Sequence, residues 1–179
     1  DVYKRQGIHM KHLLEVTHLQ KQLGDFCLQD ITFSLEPGYI TGLVGRNGCG
    51  KTSLIKTILN LYEKDSGQIF VNGHSMESEE IAAKDQLGVV LDECLFDADT
   101  KAETNARCFG ALYSRYDHNL FLEFCRRFDV DPRKKISKLS KGQKARFQLA
   151  FVFSHDAKLF LMDEPAAGLD PLFRKELLG

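Results

Sequence analysis

The chain has 179 residues, 43% of them hydrophobic, enough to bury a sizeable core in one domain with room for a subdomain. Its formal net charge of -1 gives no electrostatic reason to expect a nucleic-acid partner. No apolar run approaches the roughly 18 residues of a membrane-spanning helix, so any membrane connection is expected to come through a partner.

Residues 1–9 lack the apolar core of a signal peptide and precede a more coherent alternation from Met10, so they are expected to be a non-native extension. Residues 11–35 read as two strands, the second from Phe26 to Leu35 with near-period-two alternation. Glu36, Pro37 and Gly38 form a turn, and the apolar, β-branched run 38–44 is expected to be a buried strand.

The next eight residues, Gly45, Arg46, Asn47, Gly48, Cys49, Gly50, Lys51 and Thr52, fit G-x-x-x-x-G-K-[ST], the phosphate-binding loop of nucleoside triphosphatases. Glycines let the backbone curl until successive N–H groups point at phosphate oxygens. Lys51 carries a mobile charge to the β- and γ-phosphates, Thr52 offers a hydroxyl to Mg²⁺, and Ser53 completes the contact set at the helix start. Apolar residues at 54, 55, 58 and 59 give the following segment helical spacing. Strand, glycine loop and helix in that order are the context the motif requires, against the plainer reading of a Gly-rich turn.

Residues 67–71 read as a strand closed by the tight turn Asn72-Gly73, and 87–91 as a short buried strand. From about 95 to 136 the pattern is helical, with the amphipathic stretch 120–128 inside it. Ser140 and Gln143 have capping-box spacing, so a helix is expected to begin there, with Gly142 keeping its tip bare. By itself that is a capped helix and nothing more. The apolar run 158–162 delivers Asp163 and Glu164 at a strand end in a Walker B pattern. Asp163 is suited to holding Mg²⁺ and Glu164 to orienting or deprotonating the attacking water; read alone, the pair is equally two solvated acids.

The five cysteines, Cys27, Cys49, Cys94, Cys108 and Cys125, are widely spaced and read as free thiols of a cytosolic protein. Cys49, inside the phosphate loop, is expected to be the reactive one and to be protected by Mg·ATP. The six histidines show no metal-ligand spacing.

Taken with the phosphate loop and Walker B, the run Leu139, Ser140, Lys141, Gly142, Gln143 resembles the LSGGQ signature of ATP-binding-cassette (ABC) ATPases, and 165–171 resembles their D-loop, with Asp170 in place. The text at 89–94 and 113–117 looks like bacterial exporter ATPases of the multidrug or antimicrobial-peptide type. The resemblance implies an α/β fold: a phosphate-loop core, mostly parallel sheet flanked by helices, with an N-terminal antiparallel β part and a helical subdomain near 95–145, all within residues 10–179. It implies ATP and Mg²⁺ as cofactors, and a head-to-tail homodimer or heterodimer with a second ABC ATPase subunit. There Ser140, Lys141, Gly142 and Gln143 would meet the nucleotide held by the other subunit's loop. A separate membrane permease is the implied partner, with the subunit cytoplasmic and peripheral at the inner face of the cell membrane, and Glu164 catalytic. A soluble translation or repair ATPase, or a nucleotide-binding fragment without turnover, are the alternatives.

Several places depart from the pattern. The family's Q-loop glutamine falls at Asp92, against the readings that Glu93, one residue on, fills the place or that Asp92 is plain surface; loss of Asp92 is expected to weaken Mg²⁺-dependent turnover more than ATP affinity. The adenine-stacking aromatic falls at Leu23; Phe26 either replaces it or is plain core, and the choice between ATP and GTP is expected to be relaxed. The chain stops at Gly179 in mid-helix pattern, before the family's switch histidine, so it is expected to be truncated and to turn over poorly.

Overall fold

The computed structural model describes residues 12–46 and 48–163. They form two compact units that divide between Gln86 and Leu87.

The N-terminal unit is built on an antiparallel sheet of order β2-β1-β3-β4: β1 Leu14–Leu23, β2 Phe26–Leu35, β3 Ser66–Val71 and β4 His74–Ser75. Leu14 and Val16 of β1 face inward opposite Val71 and Ile69 of β3, as strict alternation demands. The phase then breaks. Register shifts on either side of Leu19, with His18 at φ 50, insert an extra residue, so Leu19 rather than residue 18 returns to the buried face. The His18 amide donates to Thr32 Oγ1 at 2.9 Å, which satisfies the group the irregularity frees. Asn72 and Gly73, both at positive φ, make the predicted tight turn between β3 and β4.

Helix α1, Lys51–Ile58, buries Leu54, Ile55 and Ile58, with Leu59 beyond it, the face its spacing predicts. It stops where Asn60 takes φ 57, a left-handed residue of the type that closes helices. A short helix α2, Glu80–Asp85, follows β4.

The run 38–44, expected to be a buried strand, is irregular instead, with Ile40 and Val44 each 94% exposed. An apolar run becomes a central strand only where neighbours pair both edges and cover both faces. Among the described residues, none of the four strands of the N-terminal sheet pairs with it.

In the C-terminal unit, β5 Leu87–Val90 pairs in parallel with β6 Leu159–Met162, from Leu87 opposite Leu159 to Val90 opposite Met162. Helices α3 Ala102–Gly110, α4 His118–Arg127 and α5 Lys141–Phe153 surround an aromatic core. Phe147 on α5 is fully buried and meets Phe96 edge-on at 4.8 Å and Phe121 of α4 at 6.0 Å. Asp117 caps α4 by accepting from the Asn119 and Leu120 amides, while its own amide donates to Ser154 O beyond the end of α5. Buried Asn105 organises the loop before α3: its Oδ1 accepts from the Asp97 amide, and its Nδ2 donates to the carbonyls of Asp97, Thr100 and Lys101. Among the described residues, no helix is long and apolar enough to cross a membrane.

Candidate functional site

In the N-terminal unit the phosphate loop curls as its glycines allow. Gly48 has φ 78 and Gly50 φ 98, and the Cys49 amide donates to Arg46 O at 3.2 Å. A Cβ at Gly45 would sit 2.5 Å from Cys49 Sγ and would force that thiol to turn aside. Lys51 lies over the same turn and donates from Nζ to Gly45 O at 2.8 Å and Arg46 O at 3.0 Å.

Helix α1 starts at Gly50 with no side-chain cap. Gly50 has no side chain to offer that turn's amides a capping oxygen, which is the local chemistry of an anion site. Thr52 is exposed and Ser53 half-buried on that turn. Phe26 packs against the loop itself: a Cβ on Gly50 would lie 2.3 Å from its Cζ. Leu23 sits opposite Phe26 at the end of the β1–β2 hairpin. Cys49 is exposed and free, as are the thiols of Cys27, Cys94, Cys108 and Cys125 free of disulfides. Asn47 lies outside the described residues.

In the C-terminal unit a cavity of about 470 Å³ opens between the end of β5 and the start of α5, lined among others by Leu91, Asp92, Lys141, Lys144, Gln148 and Asp163. The capping box predicted at α5 forms on both arms. The Gln143 amide donates to Ser140 Oγ at 3.2 Å, and the Ser140 amide donates to Gln143 Oε1 at 3.1 Å. Ser140 and Lys141 are exposed at the tip, with Gly142 and Gln143 half-buried behind them.

Asp92 is exposed, and its Oδ1 lies 2.6 Å from Lys141 Nζ. Asp163 follows β6, is 8% exposed, and donates its amide to Val90 O at 2.9 Å. A buried carboxylate at a parallel strand end and the Thr52 hydroxyl on α1 are both hard oxygen donors of the kind Mg²⁺ takes. Glu164 and Asp170 lie outside the described residues.

One residue of this site escaped the sequence reading. Gln148 is buried on α5; its Oε1 accepts from the Leu91 amide at 3.2 Å and its Nε2 donates to Leu91 O at 3.0 Å. The side chain takes the place of a strand partner for the residue just beyond β5, and so holds Asp92 by its immediate neighbour. A glutamine among apolar residues of a predicted helix was the only available signal.

A family model described as ABC transporter matches residues 28–167. The chain is 28% identical over 167 residues to the ABC transporter ATP-binding protein YtrB of Bacillus subtilis, covering 93% of this chain and 57% of that protein. It is 30% identical over 165 residues to the Nod factor export ATP-binding protein I of Sinorhizobium fredii, covering 88% of this chain and 48% of that one. The chain thus spans about half the length of these curated relatives. A solved ATP-binding subunit of an ABC transporter superposes with a TM-score of 0.83 at 27% identity, covering 93% of this chain and 72% of the other.

Proposed function

Because this chain belongs to the ABC transporter family, we propose that it is the ATP-binding and ATP-hydrolysing part of a transporter, driving export through a separate membrane permease. The observation that carries the nucleotide half is the glycine-led, uncapped start of α1 beneath the Lys51 ammonium. Support for export comes from the relative named as a Nod factor export protein.

In this reading residues 10–179 form the cassette, with its helical part near 95–145. Gly45, Arg46, Asn47, Gly48, Cys49, Gly50, Lys51, Thr52 and Ser53 hold the triphosphate. Thr52 and Asp163 are the residues that would hold Mg²⁺, which would supply positive charge to the triphosphate. Glu164 orients the attacking water and accepts its proton as the bond to the γ-phosphorus forms, while Lys51 and the loop amides stabilise the charge on the leaving β-phosphate. Ser140, Lys141, Gly142 and Gln143 complete the site of a second cassette, head to tail, with Asp170 at the same junction. The subunit works at the cytoplasmic face of the membrane.

The test uses the full-length protein, with nucleotide binding and phosphate release measured separately. Lys51→Ala is expected to weaken ATP binding at least about tenfold, and Glu164→Gln to keep binding while phosphate release falls about 100-fold. ATP binding indifferent to Lys51→Ala removes the nucleotide reading. Co-purification with ribosomes instead of a membrane protein removes the permease.

A further inference from the structure

Two of the departures from the family pattern touch each other. Asp92 stands where a glutamine is usual and Lys141 where the signature usually has a glycine, and the two form an ion pair at 2.6 Å. Lys141 is the first residue of α5, where a cation opposes the helix dipole, and the first turn contains no acid of its own. Asp92 brings the missing negative charge from another segment.

The pair is half-exposed, so it adds little to stability. Its leverage is geometric. Lys141, Lys144, Ala145 and Gln148 fall at i, i+3, i+4 and i+7 of α5 and all line the cavity against the segment leaving β5. Gln148 clamps the backbone of Leu91 at one end of that stripe, and Lys141 holds the side chain of Asp92 at the other. Segment and helix tip therefore share two attachments, one buried and one at the surface.

We propose that Asp92 is a positioning residue for the signature tip: through Lys141 it ties the first turn of α5 to the segment that leaves β5. Any displacement of that segment is then delivered to Ser140, Lys141 and Gly142. The consequence for turnover rests on the ATPase reading above; the attachment itself does not.

The test compares Asp92→Lys, Lys141→Asp and the double exchange in the full-length protein. Each single variant sets like charges together: Asp92→Lys beside Lys141 and Lys144, Lys141→Asp beside Asp92 and Glu93. Each is expected to lower kcat about tenfold with KM for ATP within about twofold, and the double exchange to return to within about threefold of the parent. Amide exchange at 140–143, measured without nucleotide, is expected to quicken in each single variant and slow again in the double. Carbodiimide is expected to join the Asp92 carboxylate to the Lys141 amine as an amide, with loss of water, giving a 92–141 linked peptide by mass spectrometry that Asp92→Asn lacks. A double exchange no better than the poorer single in amide exchange, or a parent without the 92–141 link, overturns the proposal. A parent that links and shows the exchange pattern but releases no phosphate upholds the attachment and overturns the ATPase reading.

Discussion

At Gly50 two constraints meet in one residue. The backbone turns through φ 98, and the Phe26 ring occupies the place of a Cβ. Gly50→Ala is expected to cost about 1–2 kcal/mol for the left-handed backbone alone, with a further loss while Phe26 is present. Urea unfolding of Gly50→Ala with and without Phe26→Ala separates the two, and equal losses in both backgrounds would deny the ring contact.

The thiols sort in the same local way. Burial pushes Cys125 up to about 12 and raises Cys94 as well, whereas Cys49 and Cys108 are exposed. Alkylation of the native protein is expected to reach Cys49 and Cys108 well before Cys94 and Cys125; a Cys125 labelled as fast as Cys108 contradicts this assignment. Motifs made of adjacent residues, such as the phosphate loop and the capping box, could be read from the chain because their geometry is local. Gln148 could not, because its partner Leu91 lies 57 positions away and only tertiary packing brings the two together.

Among elements, the most demanding contact is between β3 and the irregular stretch of β1. Gly67 has φ 94, and a Cβ there would sit 2.6 Å from both His18 O and Leu19 Cα. These are backbone atoms that cannot swing aside, so Gly67→Ala is expected to destabilise by about 3 kcal/mol or more, measured by denaturant titration. Loss similar to an ordinary surface change would show that the sheet can yield.

Gln148→Leu removes both hydrogen bonds to the Leu91 backbone and leaves buried groups unsatisfied, a cost of about 2–4 kcal/mol. A Gln148→Glu variant that retains the acceptor arm is expected to keep protection of the Leu91 amide in hydrogen exchange. Strand 26–35 and the apolar face of α1 were legible because each repeats a single period, and the 72–73 turn because Asn-Gly suits its positive φ angles. The run 38–44 misled because it was read from composition alone. Its composition asks for burial, but burial is granted by neighbours that composition does not name.

Across the molecule, both units carry carboxylates held below their ordinary range. In the N-terminal unit these are Asp65, by the Gln22 amide and Lys21, Glu79 by His74, and Glu80 by Lys84. In the C-terminal unit they are Asp97, by the Thr100 hydroxyl, Asp131, by the Arg133 amide, and Asp156, by Lys158. A carboxyl with a folded-state pKa below its unfolded value stabilises fully above that unfolded value and loses its contribution as pH falls through the folded one. The unfolded values are 3.8 for Asp and 4.5 for Glu. Burial also holds His118 below its unfolded value of 6.5, so thermal stability is expected to begin to fall as pH drops through that value and to decline further in both units below about pH 5. Calorimetry at pH 7, 5 and 3.5 checks this, and an unchanged melt at the lowest pH would show that these exposed pairs do not matter.

Asn105 acts at this same scale through a single side chain. It holds four backbone groups of residues 97–101 through one buried amide. Release of Asn105 therefore frees the Asp97 amide and three carbonyls in one event, and the side chain works as a catch that is shut or sprung instead of a strip that peels.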